Sequence, residues 1–169
     1  MGTDELVHHR ESQGGTITYA WIGDADVVPA RVQTLAFTTD GDMLLVGGAP
    51  GDAELWLPGG GIEAGETPVE ALARELLEEA AATVEAIRPL GAQRVDDPAT
   101  GSEFHAFYWS RVTLAHEYAP VHEVRERRLV RPDDFLDVLS WGRSDPTAAL
   151  LLDLALAIER ELRGPAPAP

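Results

Sequence analysis

WLPGGGIEAGETPVEALARELLEEAAA, residues 56 to 82, is the stretch on which the reading of this chain turns. Leu55 to Leu57 is a short apolar run of strand character, stopped by Pro58 and the three glycines Gly59 to Gly61, because proline lacks a ladder donor and glycine takes backbone angles that other residues avoid. Thr67-Pro68-Val69-Glu70 then reads as N-cap, proline at the first helical position and capping-box glutamate, so a helix starts there. Val69, Leu72, Ala73, Leu76, Leu77 and Ala80 recur at helical spacing and predict an apolar stripe facing a core. Glu75, Glu78 and Glu79 fall on a different face, within roughly a 100° arc of one another.

Three carboxylates so close raise one another's pKa values and strain the helix unless positive charge compensates them. Arg74, adjacent to Glu75 and four residues before Glu78, is one source. A hard divalent cation is the other, since Mg²⁺ prefers carboxylate oxygens and retained waters. The glycines would let the backbone approach both metal and phosphate, and a free carbonyl in that turn, with Gly59 as the candidate, could serve as a further ligand. A solvated acidic face would have the same composition, so the spacing has to decide between the two.

Working outward, Asp40-Gly41 marks a tight hairpin between Val32 to Thr38 and Met43 to Val46. Short strands are expected around Ile17 to Ile22, and a second hairpin from Val84 to Val95 and Phe104 to Leu114, joined by a polar connection in which Pro98 marks a turn. Val124 to Val130 is a further strand candidate. Pro132-Asp133-Asp134 opens a short helix with Phe135, Leu136 and Leu139, and Asp145-Pro146 caps a last helix to about Leu162, ended by Gly164-Pro165. That last helix is apolar almost all round, which implies deep packing or a shared homodimer face. The order of elements fits an α/β fold with a mixed sheet and helices on both faces. Residues 1–30 are expected to form an extension packed on the main domain of residues 31–163, and 164–169 a disordered tail.

With 169 residues and 44% hydrophobic content, the chain suits one domain. No apolar run has the length of a membrane span, and Met1 to Arg10 lacks the apolar core of a signal peptide, so a soluble, cytoplasmic protein is expected. A net charge of −16 argues against nucleic acid as a partner, with Arg125 to Arg131 the sole dense basic stretch. The absence of cysteine rules out thiolate metal sites and thiol nucleophiles, and all thirteen cationic side chains are arginine, which rules out Schiff-base chemistry and a P-loop. His8 and His9 have no third ligand nearby and are expected at the surface.

The spacing of Gly60, Glu66, Arg74, Glu75, Leu76, Glu78 and Glu79, introduced by Trp56-Leu57-Pro58-Gly59, resembles the Nudix box. Six literal matches at ~7% usage per residue have a chance probability on the order of 10⁻⁷ per start position. One position departs, with Ala81 where the box has its last glycine. Alanine there implies either a left-handed cap costing about 1 kcal/mol or a helix that runs on. The resemblance implies the Nudix α/β/α sandwich with a mixed central sheet, and Glu78, Glu79 and Glu75 as ligands of Mg²⁺ or Mn²⁺ with Arg74 orienting them. It also implies a later loop glutamate, for which Glu123 is the candidate. The implied reaction is hydrolysis of a diphosphate linkage in a nucleoside di- or triphosphate, with Glu75 or Glu79, or else Glu123, taking the proton from the attacking water. ADP-ribose or a nucleotide sugar is the alternative substrate, and a catalytically silent nucleotide-binding module is a further alternative. Isopentenyl-diphosphate isomerase shares the fold but requires a cysteine. Candidate substrate contacts are Gly60, Arg31 and Arg111 for phosphate, and Trp56, Phe37, Tyr108 or Trp109 for base stacking.

Overall fold

The turn residues set the strand limits. In the computed structural model, which describes residues 6–48, 54–119 and 126–164, Asp40-Gly41 closes a hairpin between β3 (Arg31–Phe37) and β4 (Met43–Gly47), with Gly41 at φ 90°. The strand expected around Ile17 to Ile22 is β2 (Gly15–Gly23); it pairs with β1 (Val7–Ser12), a strand not expected from the sequence, and both belong to the main sheet. The stretch before the box gives β5 (Leu55–Trp56), and its glycines form β6 (Gly59–Gly61). The second hairpin is longer than its apolar pattern suggests, with β7 (Ala82–Asp97) and β8 (Gly101–Leu114) leaving only Pro98 to Thr100 as the turn. Two register shifts interrupt this hairpin, one of them at Pro89 to Gly91, where proline has no N–H for the ladder. Strand β9 (Glu126–Val130) follows. A single 3₁₀ turn, Pro132–Asp134, leads into α2 (Phe135–Val138), and α3 (Pro146–Arg163) ends the described chain. Glu123 and the tail from residue 165 onward lie outside the described residues.

The sheet runs β1-β2-β7-β8-β3-β4-β5, with β6 added to β3 and β9 to β4. Only β3 and β8 among its named strands pair in parallel, over Arg31↔His105 to Phe37↔Arg111. This central pair is buried on both faces, which is why its strands read as near-continuous apolar runs. Val32, Ala36 and Leu44 meet α1 (Pro68–Ala80) on one face, while Leu35, Phe37, Leu45, Phe107 and Trp109 pack with Ala148, Leu151 and Ala155 of α3 on the other. The result is an α/β/α sandwich on a mixed sheet. Of the apolar residues of α3, Ala148, Leu151, Leu152 and Ala155 are buried within the chain and Leu156 and Ile158 pack against them, while Leu162 is 48% exposed. Among the described residues no helix is long and apolar enough to cross a membrane.

Helix α1 starts where its capping box requires, since Glu70 N–H donates to the Thr67 hydroxyl and the Glu70 carboxylate accepts from Thr67 N–H. Its core-facing edge differs from the expected stripe. Ala71, Leu72, Leu76 and Ala80 are buried, whereas Val69 and Leu77 are 46% and 59% exposed. The helix is rolled so that a small side chain, Ala71, meets the sheet in place of Val69 and Leu77. Full burial of Leu72 and Leu76 contributes roughly 1.5–3 kcal/mol each.

Of the two exits open to alanine at position 81, the chain takes the left-handed one. Ala81 sits at φ 48° and ψ 42°, the sole positive-φ residue other than glycine among the described residues, and its N–H closes on Leu77 O at 3.0 Å. Since L-residues are disfavoured there by about 1 kcal/mol, Ala81→Gly is expected to stabilise the fold by about that amount. This corresponds to a Tm increase of about 2–4 °C for a domain of this size, and thermal unfolding at fixed pH checks it.

Candidate active site

The box residues converge on one guanidinium. Arg74 Nε and Nη2 donate to the two oxygens of Glu66 at 2.7 and 3.0 Å, a bidentate pair, and Nη2 also reaches Gly61 O at 3.0 Å. Arg74 Nη1 stands between Glu75 Oε1, at 2.9 Å, and Glu78 Oε2, at 3.4 Å. The positive charge that the sequence demands is thus supplied in part by the helix itself. Hydrogen bonds from Arg74, then from Glu63 N–H, hold the Glu66 carboxyl down at about 2. Its partner moves the other way, the Arg74 guanidinium being raised above its usual range chiefly by Glu66 and then by Glu75.

Because the folded-state value of Glu66 lies below that of an unfolded glutamate, near 4.5, its stabilising contribution is complete above about pH 4.5 and disappears as pH falls toward about 2. Acid unfolding of the parent between these pH values is therefore expected to be steeper than that of Glu66→Gln. Superimposable acid titrations of stability for the two proteins would contradict this assignment.

The fourth box glutamate is held differently. Glu79 Oε2 accepts the Gly59 N–H at 2.9 Å, so the amide of Gly59, whose carbonyl is the expected ligand, is engaged by the helix. Gly59 has φ 146°, and a Cβ there would strike Val32 O and the Gln33 backbone. A Cβ on Gly60 would strike the Glu75 carboxylate. The glycines are therefore required by close approach, with β6 wedged between β3 and the acidic helix face. Register fixes this wedge, Gly59 lying opposite Gln33 and Gly61 opposite Arg31.

Two residues that the sequence did not single out support this helix from its far end. Tyr118 donates its hydroxyl to Glu79 O at 2.9 Å, and Arg127 donates to Ala80 O and Ala115 O, both at 2.7 Å, while lying 4.7 Å from the centre of the Tyr118 ring. The last turn of α1 carries no basic residue of its own, and Arg127 supplies the cation that a helix C-terminus favours. With Arg128 paired to Glu126 Oε1 at 2.6 Å, much of the basic stretch is used internally. The signal for Arg127 was an arginine in a strand, and no one-dimensional pattern ties it to the end of a helix 47 residues away.

The oxygen-rich donor set of Glu75, Glu78 and Glu79 suits a hard divalent cation in kind. Among the described residues no three such groups have already converged as a ligand sphere. The carboxylates face Arg74 and the Gly59 amide instead.

Behind the glycine strand, on the α3 face of the sheet, lies a cleft of about 430 Å³. Trp56, Phe107 and Trp141 line it from the central sheet and the α2–α3 region, and Tyr19 from β2. Gln33 also lines it, and pairs with Gly59, whose N–H goes to Glu79, so one strand separates the cleft from the acidic helix. His105 on its floor is held below the usual histidine range by burial, against the opposing pull of Glu103 at 2.6 Å. His8, expected at the open surface, also faces this cleft, whereas His9 is exposed.

The remaining candidates separate clearly. Trp56 is in the cleft, and Arg31 is exposed at the start of β3 beside Gly61. Arg111 is far from phosphate duty, for its guanidinium donates to Thr38 O and, at 2.7 Å, to the buried Glu159 of α3. Phe37 and Trp109 are core residues, 0% and 1% exposed, and Tyr108 lies on the α1 face. Strand alternation explains the correction. Phe107 has the parity that reaches the cleft, and Tyr108, next to it, has the opposite one.

Comparison with known proteins agrees with this geometry. The pyrophosphohydrolase BsRppH of Bacillus subtilis, in a mutant form, has the same fold with a TM-score of 0.71 at 19% identity, covering 89% of this chain and 97% of that one. The NUDIX domain of Shewanella oneidensis NrtR, solved with ADP ribose, superposes with a TM-score of 0.60 at 20% identity over 80% of this chain and 91% of that one. An ADP-ribose pyrophosphatase from Streptococcus suis is 26% identical over 77% of this chain and 90% of its own, with a TM-score of 0.55. No curated protein matches the sequence. The NUDIX domain matches residues 29–150, which span the glycine strand, the acidic helix and most of the sheet, and the chain belongs to the NUDIX hydrolase family.

Proposed function

We propose that this chain hydrolyses the diphosphate linkage of a nucleoside di- or triphosphate, releasing the monophosphate with phosphate or pyrophosphate, in the presence of Mg²⁺ or Mn²⁺. The observation that carries the reading is the stacking of an acidic helix face, a glycine strand and an aromatic cleft in that order, joined through Glu79, Gly59 and Gln33. Bound divalent cations supply polarisation of the phosphoryl oxygens and a more acidic water. Glu75, Glu78 and Glu79 provide the ligating oxygens, and Arg74 fixes the directions from which they approach. Gly61, beside which a side chain would meet open space, leaves room for a diphosphate next to Arg31 at the edge of the glycine strand. Glu75 or Glu79 takes the proton from the attacking water, Arg31 at the start of β3 reaches the substrate's phosphates, and Trp56 stacks on the base.

A second reading, hydrolysis of ADP-ribose or a nucleotide sugar, draws support from two similar proteins, one solved with ADP ribose and one described as an ADP-ribose pyrophosphatase. Both readings share the metal site and differ in what leaves. A panel of nucleoside di- and triphosphates, ADP-ribose and nucleotide sugars, assayed with Mg²⁺ and with Mn²⁺ for release of monophosphate, separates them. Phosphate or pyrophosphate as co-product supports the first reading, and ribose 5-phosphate (from ADP-ribose) or a sugar 1-phosphate (from a nucleotide sugar) the second, while turnover of no compound would sink both.

A further inference from the structure

The wall of the cleft formed by the amino-terminal hairpin lies outside the residues that match the family domain, which begin at 29. Strand β2 is tied to β7 from Thr18↔Asp96 to Trp21↔Gln93, and β1 to β2 from Val7↔Ala20 to Ser12↔Gly15, so this wall is held by sheet register. His8 and Arg10, two residues apart, share one face of β1 and both line the cleft with Tyr19. The His8 ring centre is 6.0 Å from that of Tyr19, and the Arg10 guanidinium carbon lies 5.7 Å from the centre of the same ring. Arg10 makes no ion pair with any described residue, in a protein of net charge −16.

We propose that the β1–β2 hairpin is a specificity wall, on which Tyr19, backed by Arg10 and flanked by His8, stacks against the base of a nucleotide substrate. The proposal rests on the diphosphate-hydrolase reading for its substrate and adds which part of that substrate is selected. Trp56 and Trp141 line the same cleft as Tyr19, so a base held there meets more than one aromatic side chain. Such surfaces select a planar π-system over a sugar, an inositol or an alkyl chain. A guanidinium over the outer ring favours carbonyl-bearing edges of a base. Gln33, between the cleft and the glycine strand, carries both a donor and an acceptor for such an edge.

Binding of nucleoside monophosphates and of ribose 5-phosphate, measured calorimetrically in the presence of chelator, tests this without any turnover. The whole chain is expected to bind at least one nucleoside monophosphate about tenfold or more tighter than ribose 5-phosphate, in keeping with the worth of one stacked base. Tyr19→Leu, which keeps the apolar bulk and removes the π-face, is expected to erase that preference while ribose 5-phosphate binding and Tm stay unchanged. Arg10→Gln is expected to erase part of it. Equal affinity for monophosphates and ribose 5-phosphate in the parent, or undiminished preference in Tyr19→Leu, overturns the proposal. Diphosphate hydrolysis with no dependence on the hairpin would overturn the wall and leave the hydrolase reading standing. Tyr19-dependent base binding in a protein that hydrolyses nothing would uphold the wall and sink that reading.

Discussion

Replacing Glu79 by glutamine is expected to lower kcat by about a thousandfold while leaving the thermal midpoint within a degree or so of the parent. The amide is nearly isosteric, keeps an oxygen for the Gly59 N–H, and sits in a helix that tolerates glutamine as well as glutamate. The charge is lost, and with it a carboxylate proposed to ligate a cation or accept a proton beside the glycine strand, functions worth about 10²–10⁴ in rate. Steady-state kinetics with a metal titration, paired with a melting curve, give both halves of the result. Parental turnover in Glu79→Gln would remove this carboxylate from the chemistry.

The second large effect concerns stability. Glu159 is 3% exposed on α3 and accepts from Trp109 Nε1 at 2.9 Å and from Arg111 Nη2 at 2.7 Å. Glu159→Ala leaves an indole N–H without its acceptor and a mostly buried guanidinium without its counter-charge, with Thr38 O still accepting from it. Breaking such a pair from one side costs about 3–5 kcal/mol. Chemical denaturation is expected to show a loss of that size. Because Arg111 pairs at the Phe37 end of β3, whereas the glycine strand and the cleft residue Gln33 lie at its Arg31–Gln33 end, the fraction that stays folded should turn over substrate with parental KM. A raised KM in folded Glu159→Ala or Arg111→Ala would return Arg111 to the substrate site.

Much of the catalytic half of the molecule could be read from the chain because it is local. The capping box, the glycine stop and the helical phase of Arg74, Glu75, Glu78 and Glu79 all lie within 27 residues, and their geometry follows from helix periodicity. Arg111 illustrates what is not local. Its sequence context, a cation in a strand, is the same whether it faces a phosphate or the carboxylate of Glu159, 48 positions later. The same holds for the cleft, assembled from β1, β2, β3, β5, β7, β8 and the residues before α3, which no spacing rule links. Because β8 carries Phe107, Tyr108 and Trp109 in succession, which of its parities faces α3 is set by the pairing with β3 and not by the pattern. Ala81 was legible as a departure, and its dihedral angles had to be seen to choose between the two exits.

Arg74 also separates two events that acidic metal sites often merge. By sharing its donors among Glu66, Glu75 and Glu78, it gives the segment an internal counter-ion encoded four places before the last of them. Folding of the helix therefore needs no borrowed charge from solution. An arriving cation would redistribute existing pairings within a finished scaffold, so scarcity of magnesium or manganese would idle such a catalyst without dismantling it.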